Sequence, residues 1–91
     1  EEVYGGPLTL GGLLQAIREG DEISQAAFAR ELGISRSHLC DIEKGRKTVS
    51  ISRAARFARA LGYSEAQFVR LAVQGQVEDA GLDLQVKIEA A

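Results

Sequence analysis

Ninety-one residues, 45% of them apolar and 26% charged, with a formal charge of −2, bound the chain to one small domain with a modest core. The composition excludes a disordered tail, no apolar run approaches the ~18 residues of a membrane span, and no signal-peptide pattern opens the chain. A single cysteine excludes an intrachain disulfide framework, so a soluble, cytoplasmic protein is expected.

Glu1 to Pro7 reads as a loose leader. Thr9 is a plausible N-cap, and Leu10, Leu13, Leu14 and Ile17 then recur at helical spacing up to Gly20. Gly11 and Gly12 weaken the first turn of that helix. Ser24 caps a second helix, SQAAFAREL, with Phe28, Ala29 and Leu32 as its apolar stripe and Gly33 as its stop. Ser35 caps a third, anchored by Leu39 and Ile42 and ended by Gly45. Ser50 opens a fourth, with Ile51, Ala54, Ala55, Phe57, Ala58 and Leu61 inward, Arg53, Arg56 and Arg59 on a solvated face, and Gly62 after it. Ser64 and Gln67 form a capping box for a fifth, which carries Phe68, Leu71 and Ala72 and runs past Gly75 as far as Ala80.

Beyond Gly81 the period changes. Leu82, Leu84, Val86 and Ile88 alternate with Asp83, Gln85, Lys87 and Glu89, which predicts a strand with one buried face. No second strand is visible in the chain, so this one needs a partner or stays frayed. Three parts result: a leader over 1–8, a helical domain over 9–80 and a C-terminal segment over 81–91.

The net charge hides a basic middle. Between Ser24 and Ala60, eight Lys and Arg residues stand against three acids (Glu31, Asp41 and Glu43), a surplus of five positive charges. The remainder carries seven more acids than bases. Such a distribution is what a polyanion-binding face has, and an ordinary mixed surface can show the same counts.

Two short helices joined by a tight glycine turn suggest a helix-turn-helix. Ala29 suits the close crossing of the two helices, Gly33 suits a turn at positive φ, and Leu39 with Ile42 suits the pegs that lock the third helix onto the second. From Ile23 to Phe68 the chain reads ISQAAFARELGISRSHLCDIEKGRKTVSISRAARFARALGYSEAQF. This stretch resembles the phage-repressor and Cro-like helix-turn-helix family, also called the Xre family. The likeness rests on Gln25 opening helix two, Leu-Gly-Ile-Ser at 32–35, Ile-Glu-Lys-Gly at 42–45 and Leu-Gly at 61–62. With the first helix it covers about residues 9–73. Val49 stands where the family often has proline, which should loosen the start of helix four, and the minimal domain lacks the segment from Gly81.

The resemblance implies an all-α, five-helix fold, to which the alternation adds a C-terminal β-strand expected to pair across a dimer. It also implies roles. Helix three, Arg36 to Lys44, would lie in the major groove, with Arg36, Ser37 and Asp41 at the base-reading positions and His38 at the backbone or groove edge. Arginine suits guanine O6 and N7, and Asp41 could accept from cytosine N4. Gln25 and Ser35 would bond phosphates on one side, and Lys44, Arg46, Lys47 and the backbone near Thr48 would grip the other. Arg18 and Glu43 match a structural ion pair of the family.

No enzyme is expected. Ser37, His38 and Asp41 share one helix without converging geometry or an oxyanion hole. His38 and Cys40, two apart on a helix, face different ways and have no further Cys or His to complete a metal site. Cys40 reads as a small half-buried filler, with a redox role as its alternative. No cofactor is implied. The resulting expectation is a transcriptional regulator, a repressor, that binds a palindromic DNA operator as a homodimer through strand residues Leu82, Leu84, Val86 and Ile88. The alternative is an antitoxin that regulates its own operon and binds a toxin protein through the same segment.

Overall fold

The structure, a computed structural model, describes residues 9–89; the leader and the last two residues lie outside it. Five helices follow in order: α1 (Leu10–Gly20), α2 (Gln25–Leu32), α3 (Arg36–Glu43), α4 (Ile51–Leu61) and α5 (Glu65–Asp79). Each starts at the serine or threonine named from the sequence. The hydroxyls of Thr9, Ser24, Ser35, Ser50 and Ser64 accept from the backbone N–H three residues on, at 3.0 to 3.2 Å. These bonds satisfy donors that a helix start otherwise leaves open. Helix α5 runs through Gly75, and Ala80 is its C-cap.

The turn between α2 and α3 closes on Gly33, which lies at φ 75°. Its N–H donates to Arg30 O at 3.1 Å and that of Ile34 to Ala29 O at 3.0 Å, a Schellman closure that any Cβ at Gly33 would strain. Ala29, Leu39 and Ile42 are all buried at the crossing of α2 with α3. Around them lies one apolar cluster centred on Phe28, Phe57 and Phe68, each fully shielded, with Leu14, Ala54 and Leu71 among its neighbours. Helix α4 packs along α5, and α1 bridges α3 and α5.

Three sequence expectations are altered by the packing. Gly11, which the sequence presents as a weak first turn, is buried where α1 meets the end of α3. A Cβ there would overlap the Ile42 carbonyl oxygen and stand 3.0 Å from its carbon. Ile51, expected inward, is 48% exposed, while Val49 just before α4 is buried in the cluster.

The third correction concerns the C-terminal segment. Among the described residues no strand forms: 82–89 has no backbone ladder, because a strand requires backbone partners and five helices offer none. A single side chain stands in. Gln74 on α5, 5% exposed, donates from Nε2 to Leu84 O at 2.8 Å and accepts at Oε1 from Val86 N–H at 2.7 Å. The face expected to be buried is open, with Leu82, Leu84 and Ile88 at 52%, 58% and 41% exposure.

Candidate nucleic-acid interface

Helix α3 is held from behind. Leu39 and Ile42 point into the core, and beside them Glu43 takes part in a polar cluster that joins three helices. Arg18 of α1 grips the Glu43 carboxylate with both arms, Nε to Oε2 at 2.8 Å and Nη2 to Oε1 at 3.1 Å. The side chains are 14% and 3% exposed. Arg18 Nη1 also donates to Ile23 O at 3.1 Å, between α1 and α2. Hydrogen bonding to Glu43 outweighs burial and holds the Arg18 guanidinium above its ordinary range.

Gln25 joins this cluster. Its Nε2 donates to Glu43 Oε1 at 3.0 Å, so the side chain matched to phosphate binding is half-buried and tied to the ion pair. What it still offers outward is its place in the first turn of α2, where backbone N–H groups lack helical acceptors.

The outer face of α3 is arranged differently. Arg36 and Ser37, in its first turn, are exposed and make no side-chain hydrogen bond among the described residues. Ser35 is exposed as well, with its oxygen capping the His38 N–H at 3.0 Å. His38 is half-buried, its Nε2 3.4 Å from Arg53 Nη1 of α4. Burial, then the charges of Arg53 and Lys47, push its pKa below the usual imidazole value, against a smaller opposing effect of Asp41. A neutral ring accepting from Arg53 carries its proton on Nδ1.

Asp41 is engaged through one of its two oxygens. Arg46 Nε donates to its Oδ1 at 2.9 Å, and the Arg46 backbone N–H donates to Asp41 O at 2.8 Å. The turn at Gly45 (φ 78°) folds the chain back to allow both bonds. Arg46 also places Nη2 3.9 Å from Cys40 Sγ, so a cation stands beside the half-buried thiol. Lys44, Lys47 and Thr48 are exposed around the same turn.

The fold thus leaves Arg36, Ser37, Lys44, Arg46, Lys47 and Thr48 accessible, draws Gln25 inward and pairs Asp41 with Arg46. Arg53 is the contributor that sequence reading assigned to a solvated face. Its i,i+3 spacing from Arg56 signals an exposed arginine stripe, and only the tertiary placement of α4 brings it to His38. Among the described residues no group of three or more His, Cys, Asp or Glu is placed to hold a metal ion, and no helix is long and apolar enough to cross a membrane.

The sequence pattern of the helix-turn-helix domain family matches residues 9–71. The chain is a helix-turn-helix domain of the phage-repressor kind. It is similar to the immunity repressor protein of Bacillus phage phi105, 38% identical over 55 residues that make up 60% of this chain and 38% of the repressor. The chain therefore corresponds to well under half of that relative's length. It is also similar to the crystal structure of the clp gene regulator ClgR from C. glutamicum, at 30% identity and a TM-score of 0.59. That likeness covers 76% of this chain and 94% of the regulator's. The helix-turn-helix proper is α2, the Gly33 turn and α3.

Proposed function

We propose that this helix-turn-helix domain is the DNA-binding part of a transcriptional regulator, a repressor that recognises a palindromic operator as a homodimer. Helix α3 enters the major groove with Arg36 and Ser37 at base edges, while Ser35, His38, Lys44, Arg46, Lys47 and Thr48 line the phosphates. The observation that carries this reading is the two-sidedness of α3. Its inner side is locked by Leu39, Ile42 and the Arg18–Glu43 pair, whereas its first turn presents an uncommitted arginine and serine to solvent. A lapsed or purely structural helix has no need of such a division.

Asp41 acts here as a positioning group. Its Oδ1 bond to Arg46 aims that guanidinium at one edge of the site, and Oδ2 remains to accept from cytosine N4. Gln25 supports the phosphate contact through its backbone N–H and braces Glu43 with its side chain. Two copies joined through Leu82, Leu84, Val86 and Ile88 would set the two α3 helices about 34 Å apart, one turn of the duplex.

Selection of binding sites from random duplex DNA, repeated at two salt concentrations, tests the reading. An enriched inverted repeat with affinity falling steeply with salt is expected; no enriched half-site would overturn it. Arg36→Ala, followed by fluorescence anisotropy against single-base variants of the selected site, should cost about 1–3 kcal/mol and relax preference at one base pair. A uniform loss on every sequence would make Arg36 a phosphate contact.

A further inference from the structure

The C-terminal segment has one edge occupied and one edge free, and that asymmetry specifies how a second copy can dock. In extended chain, the N–H and C=O of one residue point to the same side and those of the next to the other. Leu84 O and Val86 N–H both bond the Gln74 amide, so the even-numbered backbone groups face α5. Those of Asp83, Gln85 and Lys87 face away and bond no other described residue.

We infer that this free edge pairs antiparallel with the same edge of a second copy, in the register that sets Gln85 opposite the partner's Gln85. The inference rests on the dimer of the proposed function and gives its geometry. Two conditions select the register. The even-numbered apolar side chains of both copies must share one face, which requires the twofold axis to pass through a residue of the segment. The backbone groups at the axis must be unoccupied, which restricts that residue to Asp83, Gln85 or Lys87.

Charge decides among the three. An axis at Asp83 stacks two carboxylates, and one at Lys87 stacks two ammonium groups. An axis at Gln85 places Asp83 opposite the partner's Lys87 and Lys87 opposite the partner's Asp83, with amide against amide between them. On the other face, Leu82 meets the partner's Ile88 and Leu84 meets the partner's Val86. Three of these four side chains are the exposed Leu82, Leu84 and Ile88, so pairing covers apolar surface that the single chain leaves in water. The side-chain clip at Gln74 supplies the second edge of each strand, so the ribbon is flanked on both sides.

The full chain is tested by sedimentation equilibrium. Asp83→Lys alone, and Lys87→Asp alone, should each weaken the dimer by about tenfold, since each creates like-charge pairs at two symmetric places. The double variant Asp83→Lys/Lys87→Asp should return to the wild-type constant, which no general loss of charge or folding would produce. In a Cys40→Ser background, Gln85→Cys should oxidise to a covalent dimer, because directly opposed Cα atoms lie about 5.5 Å apart. Asp83→Cys should not, its two copies being about 13 Å apart along the strands. Failure of the swap to rescue, or cross-linking through position 83, overturns the register. A dimer insensitive to every tail variant overturns the ribbon and leaves a dimeric regulator standing on another surface. A wild-type chain that remains monomeric at micromolar concentration overturns both.

Discussion

Replacing Glu43 with alanine separates a load-sharing buried ion pair from a decorative one. The carboxylate accepts three hydrogen bonds, at 2.8 and 3.1 Å from Arg18 and 3.0 Å from Gln25. Charge-assisted bonds contribute about 1.5–3 kcal/mol each, so their sum sets an upper bound of roughly 5–9 kcal/mol. The loss is smaller than that bound, because Arg18 keeps its bond to Ile23 O and is 14% exposed, enough to regain some water. Removing one partner of a buried pair costs about 3–5 kcal/mol, and the lower end, about 3 kcal/mol, fits this exposure. A domain of this size has only about 4–12 kcal/mol in total. At about 4–8 °C per kcal/mol, the midpoint should fall by about 12–24 °C in thermal unfolding followed by circular dichroism at 222 nm. Raising salt should not close the gap to wild type, since solvent ions screen a shielded pair weakly. The double variant Arg18→Met/Glu43→Leu should recover most of the loss, as no lone charge remains. A drop below about 4 °C for Glu43→Ala would refute the reasoning, placing the pair with solvent-screened surface bridges.

Two further expectations concern the backbone and the histidine. Gly11→Ala should destabilise the domain by about 1–3 kcal/mol in urea unfolding, because overlap with the Ile42 carbonyl outweighs the roughly 1 kcal/mol that alanine gains in helix propensity; Gly12→Ala, whose nearest new contact is the Thr9 hydroxyl at 3.1 Å, should be milder. For His38, the folded-state pKa lies below the unfolded value of about 6.5. Between the two values the unfolded chain binds more protons, so this contribution is intact above about pH 6.5 and is lost as pH falls through the folded value. Melting temperatures from pH 7.5 to 5 should therefore decline more steeply for wild type than for His38→Asn, and parallel profiles would remove His38 as the source.

The sequence by itself determined the helices, because what starts and stops them is local. A capping hydroxyl reaches an N–H three residues away, and a glycine at positive φ ends a helix within one turn, so Thr9, Ser24, Gly33, Ser35, Gly45 and Ser50 were readable without knowing what packs on what. The pegs Leu39 and Ile42 were legible for the same reason, through spacing on one helix face. Resemblance to a family supplied the partnership of Arg18 with Glu43, 25 positions apart, which no local rule contains.

Tertiary structure decided where each polar side chain spends its bonds. Gln25 turns inward because packing of α2 brings it within reach of a carboxylate already gripped by Arg18. One Asp41 oxygen is engaged because the Gly45 turn returns Arg46 to it, and His38 loses proton affinity because packing buries the ring and brings Arg53 of α4 beside it. The C-terminal alternation shows the same division most plainly. A period of two states which side chains want a common face, but a strand exists only where backbone partners stand alongside. In the single chain that place is filled by one glutamine amide, and the apolar face remains open. Patterns of spacing are properties of the chain, whereas occupancy of a hydrogen bond depends on which distant groups the packed core brings within about 3 Å.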